Sequence, residues 1–254
     1  MFATNSPVNR YGSIAAEIYD LDKPPGRLPD TAFYLDRLAG VTGEILEPAC
    51  GSGRTLLPLL EAGHRVAGFD LSEEMLARAR RRCTAFAPDL SRQRLEDFAY
   101  DRLFAAIVVP VGSFTLLDDA SVAFAVLKRF RAQLVADGLL VIDVQPLSML
   151  ARTGDDRRRW VAENGDLLTV EGVRRETDWM AQRVDYAIRY ERWRDNRLID
   201  AQLEPMVQRY WGLEEFRLAL REAGFGDIAV SADYRAGRPP TATTRNLTYA
   251  ARAA

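Results

Sequence analysis

Two carboxylates and a run of bare backbone stand together in "EPACGSGRTLLPLLEAGHRVAGFD", residues 47–70. Glu47 precedes Gly51 and Gly53, and Asp70 closes the stretch. Glycines at a strand-to-helix turn let a ligand touch main chain, since no Cβ stands in the way. A dinucleotide site would place a third small residue three positions after Gly53, where this chain has Leu56. A carboxylate at Glu47 would also repel a phosphate and attract an ammonium. Asp70 falls where an acid at the end of a second strand accepts both hydroxyls of a ribose. A ribose at one end and an amino acid at the other describe S-adenosylmethionine.

Few other residues offer chemistry. His64 is the only histidine, and Cys50 and Cys83 are the only cysteines. A zinc cluster, a disulfide framework and a His-based triad therefore lack parts, and no metal site is expected. His64 opens a strand at the far end from the ligand and reads as structural, while Cys50 reads as a small buried residue. Tyr11 and Tyr19 lie eight positions apart, about two helical turns, so one helical face can carry both. They are lid or core aromatics, or they are catalysts. Arg54 is expected to face solvent, with a ligand carboxylate as the alternative partner.

The elements that must position these residues are legible as patterns. "YGSIAAEIYDL" and "DTAFYLDRLAG" read as helices divided by "DKPPGRLP". "GEILEPA" and "HRVAGFD" read as strands around the helix "TLLPLLEAG". Ser72 is a good N-cap, with Glu73 and Glu74 at the positive start of the next helix and Arg80, Arg81 and Arg82 at its negative end. "RQRLEDF" is the expected third strand and "FAAIVVP" the fourth. A helix bearing Ala123, Val126, Leu127, Phe130 and Leu134 is expected to stop at Gly138, before the strand "LLVIDV". After Gln145 the pattern becomes "RRRWVAE", "LLTVEGV", "QRVDYAIRYERW" and "RLIDAQLEPMVQRYW", an antiparallel meander with Asp195-Asn196 as its clearest hairpin signal. "LEEFRLALREAG", "DIAVS" and "RNLTYAAR" close the chain with a helix and two strands. The expected fold is α/β, a doubly wound, mostly parallel, seven-stranded sheet of Rossmann-like form with an inserted antiparallel β cap. Its expected divisions are a helical lid segment over residues 1–40, a cofactor domain over 41–147 and 212–254, and the cap over 148–211.

At 254 residues and a formal charge of −2, with no apolar run long enough to span a bilayer, the chain gives no electrostatic ground for nucleic acid and none for a membrane. A small-molecule partner and a cytoplasmic location are expected, with pairing into a homodimer through the meander left open. The opening "MFATNSPVNR" lacks the apolar middle of a signal peptide.

These features resemble the class I S-adenosylmethionine-dependent methyltransferases. Glu47, Ala49, Gly51 and Gly53 match their first motif, and Asp70 matches the second-strand acid. "YD" at Tyr19, "CGSG" at Cys50 and "DLSEEML" at Asp70 are more specifically similar to the glycine and amino-sugar N-methyltransferase type, which carries an antiparallel insertion after its fifth strand. The resemblance implies that Tyr11 and Tyr19 hold the cofactor or close the site. It implies further contacts from Leu71, Met75 and Leu95, and it places the sulfonium and the acceptor beside Pro110 to Phe114. One position departs from the pattern: Arg94 stands where such families carry an acid for the adenine amino group, which leaves Leu95 to pack on the base and Glu96 or Asp97 as acids that could substitute. "VPVGSF" also lacks the Asn/Asp-Pro-Pro-aromatic run with which base-modifying DNA enzymes grip a flipped base.

A methyl sulfonium needs mainly an acceptor held about 3 Å away and in line. A neutral amine needs no base, whereas a hydroxyl gains from one, and Tyr11, Tyr19, Asp143 and Glu191 are the candidates. Their scarcity favours an amine acceptor. The alternatives are a natural-product O-methyltransferase, a non-catalytic module that binds S-adenosylmethionine, and a nicotinamide enzyme on a similar fold. In the cap, Trp160, Trp179, Trp193, Tyr190, Tyr210 and Trp211 are expected mainly to pack.

Overall fold

Alternating apolar runs and amphipathic helices set the element order. The computed structural model describes residues 11–152, 154 and 156–254. Two helices, α1 (Ser13–Asp22) and α2 (Pro29–Leu38), precede the sheet. Then follow β1 (Glu44–Pro48), α3 (Leu56–Glu61), β2 (Arg65–Asp70), α4 (Glu73–Arg82), β3 (Leu90–Arg92), β4 (Phe104–Val109), α5 (Ala120–Ala132) and β5 (Leu134–Val144). A four-stranded meander comes next: β6 (Asp156–Val161), β7 (Leu167–Asp178), β8 (Arg183–Arg194) and β9 (Arg197–Arg209). The chain ends with α6 (Leu213–Glu222), β10 (Phe225–Ala232) and β11 (Leu247–Ala253).

The main sheet has the order β10-β11-β5-β4-β1-β2-β3, with β11 antiparallel to both its neighbours and the other pairs parallel. It is a doubly wound, Rossmann-like sheet. β4 and β5 lie in its middle and are apolar on both faces, which suits "FAAIVV" and "LLVIDV". Phe114, Phe130, Phe216, Trp211 and Tyr249 fill one side, and Phe33, Tyr34, Leu38, Leu56 and Leu59 fill the other. Ser72 caps α4 by accepting from the Met75 N–H at 3.3 Å, and such a cap contributes about 1 kcal/mol.

The meander forms a second sheet, β6-β7-β8-β9, whose β8–β9 hairpin turns through Asp195 and Asn196 at φ +48° and +60°. Those left-handed angles are the ones a two-residue hairpin requires. Ile14, Ala15 and Ile18 of α1 pack against Leu168, Val170 and Tyr190 of this sheet. The opposite side of α1 is tied to the main sheet, where Asp20 accepts from Ser52 Oγ at 2.6 Å and pairs with Arg78 at 3.1 Å and Arg82 at 2.8 Å. One short helix thus bridges the two sheets.

Two boundaries differ from expectation. The third strand is Leu90–Arg92, and residues 94–98 form a tight turn closed by the Phe98 N–H on the Arg94 carbonyl at 3.0 Å. The apolar signal there comes from Phe98, which is buried and stacks on Phe69 with ring centroids 4.8 Å apart. α5 ends at Ala132, not at Gly138. β5 begins at once and carries an irregularity before Leu139, with Asp137 at φ +59° taking the left-handed position.

Candidate active site

The turn after β1 is built for close approach of a ligand. Ala49 sits at φ +51° and Gly51 at φ +55°. A Cβ added to Gly51 would meet nothing within 4 Å, so its bare backbone faces open space. Gly53 serves packing instead, since at φ +79° a Cβ there would come within 3.3 Å of Ala79 and 3.4 Å of the Cys83 sulfur. It lets α4 pack against the turn and does not line the cavity beside it. Asp70 closes the same turn from β2, accepting the Gly51 N–H on one oxygen at 2.8 Å and the Ser72 N–H on the other at 2.8 Å. Each carboxylate oxygen has a second acceptor position. Burial raises the Asp70 pKa while these main-chain donors oppose the rise.

Above this turn lies a cavity of about 410 Å³. Of the positions named from sequence, Tyr11, Tyr19, Ala49, Gly51, Asp70, Leu71, Met75, Leu95 and Glu96 line it. Arg94 and Gln93 line it as well, and Arg94 pairs with Glu96 at 2.7 Å. Pro110 and Asp97 fall outside its lining, and so does Glu47. At 1% exposure, Glu47 lies one layer back, with Arg54, Asp70 and Tyr19 as electrostatic neighbours. Its Oε2 has no hydrogen-bond partner, and burial pushes its pKa well above the ordinary 4.5. A buried acceptor without a donor is costly, and a cation brought beside it would relieve the cost.

Arg54 corrects the expectation of a solvent-facing side chain. It is 2% exposed and makes a two-pronged contact with Asp30 at the start of α2, at 2.6 Å and 3.1 Å. The Tyr19 hydroxyl is an electrostatic neighbour of this guanidinium, whose charge opposes the rise that burial gives the tyrosine pKa. Tyr11 and Tyr19 do meet, edge to face at 6.0 Å, although Tyr11 precedes the helix at φ +48° instead of sharing its face. Glu204 on β9 fixes that bend by accepting the main-chain N–H groups of Tyr11 at 3.1 Å and Gly12 at 2.6 Å.

A second cavity of about 620 Å³ opens between α1, the loop after β4 and the inner face of the meander. It shares Tyr11, Tyr19, Ser113 and Leu116 with the first. Tyr186, Tyr190 and Tyr210 line it, whereas Trp160 and Trp193 do not, and Trp211 belongs to the main core. Trp179 is 61% exposed near the β7–β8 turn. Lys23, Arg152, Arg158 and Arg174 bring positive charge to this cavity against Asp22 and Asp156. Lys23 and Arg158 are paired with Asp22 at 2.8 and 2.5 Å. Arg174 instead donates to the Leu150 and Met149 carbonyls at 2.6 and 3.3 Å and the Tyr186 hydroxyl at 3.4 Å, so its charge is not neutralised by these partners.

Neither carboxylate proposed from sequence as a base reaches the second cavity. Asp143 is fully buried in the main sheet, and Glu191 accepts from Thr169 and Trp193, each at 3.0 Å, and pairs with Arg189 at 2.6 Å. Burial raises the pKa of both Tyr11 and Tyr19, which makes them poorer bases at neutral pH. Among the described residues no group of three or more His, Cys, Asp or Glu is placed to hold a metal, and no helix is long and apolar enough to cross a membrane.

Residues 45–138, from β1 into β5, match the model of the methyltransferase domain. The chain carries a methyltransferase domain. Its cofactor is S-adenosylmethionine, and it is similar to the amino-sugar N-methyltransferases. Over 149 residues it is 33% identical to dTDP-3-amino-3,6-dideoxy-alpha-D-glucopyranose N,N-dimethyltransferase of Streptomyces fradiae, covering 56% of this chain and 57% of that one. The chain thus spans just over half the length of that relative. Its fold is that of an S-adenosylmethionine-dependent methyltransferase from Clostridium acetobutylicum, with a TM-score of 0.77 at 18% identity over 93% of this chain and 96% of the other. The same holds for CalS10, an amino pentose methyltransferase from Micromonospora echinaspora solved with S-adenosylmethionine bound, with a TM-score of 0.73 at 18% identity over 97% and 100% of the two chains.

Proposed function

We propose that this methyltransferase acts on the amine of a small acceptor, an amino sugar carried on a nucleoside diphosphate. The observation that carries this reading is the junction of two cavities at Tyr11, Tyr19, Ser113 and Leu116. One cavity suits the cofactor, and the other is large enough for an acceptor. Asp70 would accept the ribose hydroxyls, and the bare Gly51 backbone would admit the amino-acid chain. Glu47 would face its ammonium, and Tyr19, with Arg54 as its charged neighbour, would lie at the junction. Leu71, Met75 and Leu95 would enclose the adenine. S-adenosylmethionine supplies a methyl group already activated on sulfur.

The remaining work falls to the protein, which has to hold the acceptor in line and keep water out. The acids lining the second cavity, Asp22 and Asp156, pair with Lys23 and Arg158, so neither is a free base. An amine acceptor needs only to arrive unprotonated. Arg174, Lys23 and the tyrosines suit a phosphorylated, ring-shaped molecule, and the Streptomyces fradiae relative acts by name on a dTDP-linked amino sugar. In this scheme the described residues of 148–211 serve the acceptor, and residues 11–40 cover the junction, the first ten residues of the expected lid lying outside the described ones. The net charge of −2 favours such a molecule over nucleic acid.

The test is an acceptor screen with labelled cofactor, in which dTDP-linked 3-amino, 4-amino and all-hydroxyl sugars are compared by mass spectrometry. Methylation of amino sugars and not of hydroxyl sugars is the expected outcome. Transfer confined to hydroxyl acceptors would overturn the proposal.

A further inference from the structure

Asp143 interrupts the apolar run "LLVIDV" in the middle of the main sheet and is completely buried. Four separate parts of the chain donate to it. Its Oδ2 accepts the Val111 main-chain N–H at 2.8 Å, the Tyr234 hydroxyl at 2.9 Å and the Tyr34 hydroxyl, and its Oδ1 accepts the Thr248 hydroxyl at 2.6 Å. With three donors crowded on Oδ2, one on Oδ1 and no exposure to solvent, this carboxylate is closed to a substrate.

Three of the donors are hydroxyls, which can rotate to other partners. The Val111 N–H is fixed in direction, with Asp143 as its near acceptor at 2.8 Å and the Tyr34 hydroxyl as a longer second one at 3.4 Å. Val111 stands at φ +58° and Gly112 at φ +71°, and for a β-branched residue that angle is a strained conformation. Strain of this kind persists only where the surroundings enforce it. The bend leads straight into the helical turn Ser113–Leu116, whose two end residues border both cavities.

We propose that Asp143 is a positioning residue: by holding the Val111 N–H it keeps the strained bend closed, and so sets the wall shared by the methyl donor and the acceptor. The inference rests on the assignment of the first cavity to the cofactor, and it needs no knowledge of the acceptor.

Calorimetric titration with S-adenosylhomocysteine tests it on three variants. Asp143→Ala frees the bend, and its affinity is expected to fall about 10-fold, equivalent to about 1.4 kcal/mol. Asp143→Asn can keep an oxygen toward Val111 and turn its amide NH₂ to Thr248 Oγ1, so affinity should return to within about 3-fold of wild type. Thr248→Val removes one donor but spares the Val111 bond, and should lower the melting temperature with affinity unchanged.

Wild-type affinity in Asp143→Ala, or an equal loss in Thr248→Val, would overturn the proposal. Should Asp143→Ala fail to fold, amide exchange of the wild-type protein decides. The Val111 N–H must then exchange as slowly as the core of β5, and rapid exchange would show that Asp143 does not hold the bend. Absence of S-adenosylhomocysteine binding by wild type would instead refute the cofactor assignment itself.

Discussion

Glu47→Gln separates a carboxylate that waits for a cation from one that merely ends a strand. In the free protein Glu47 is 1% exposed, its Oε2 has no partner, and burial holds its pKa well above 4.5. As pH rises from 4.5 toward that raised value, the unfolded chain gives up its proton first, so the folded state holds more protons and stability falls with pH. The Gln variant carries no such slope. Its melting temperature at neutral pH should match or exceed that of wild type, because a neutral amide costs less to bury than a carboxylate.

Cofactor affinity should move the other way. A hydrogen bond to a charged group contributes about 1.5–3 kcal/mol, which is about 10- to 150-fold in Kd. Binding of the ammonium also requires Glu47 to ionise, so wild type should release protons on binding below the raised pKa. Calorimetry in two buffers of different ionisation enthalpy reads both quantities. The reasoning fails if Glu47→Gln lowers the melting temperature and leaves Kd within about 2-fold.

Arg54→Met and Asp30→Asn should each cost about 3–5 kcal/mol in urea unfolding, while the double variant costs little more than either, because each single change strands a buried charge. Additive losses would show that the pair is not coupled. Arg174→Met should raise KM for a phosphorylated amino-sugar acceptor by about 10-fold or more and leave kcat nearly intact, since the guanidinium is proposed to bind remotely from the transferred methyl. An unchanged KM would remove Arg174 from the acceptor site.

The first motif is legible in the sequence because its chemistry is local: Glu47, Gly51 and Asp70 lie on two adjacent strands and the turn between them. The main sheet is legible through apolar runs long enough to cross a core, and the meander through Asp195-Asn196 and its flanking periods. β3 escapes such a reading because a three-residue edge strand carries little pattern, while Phe98 in the following turn mimics one. Gly138 misleads as a helix stop because the helix already ends at Ala132, and the left-handed residue beside Gly138, Asp137, belongs to an irregularity inside β5.

Arg54 cannot be placed from sequence, since its partner Asp30 lies 24 residues upstream on another helix and no local period joins them. The same holds for Asp143, whose four donors come from α2, the β4 bend, the turn after β10, and β11. Helical spacing pairs Tyr11 with Tyr19, but their contact depends on Glu204 of β9 bending the chain before α1.

The most direct measurement compares binding of S-adenosylhomocysteine and its 2′,3′-dideoxy analogue to wild type and to Asp70→Ala. If Asp70 grips the ribose, wild type favours the intact nucleoside by about 10- to 100-fold, and the variant binds both alike. Equal binding of the two ligands by wild type, or a preference that survives in Asp70→Ala, would contradict the placement of the cofactor.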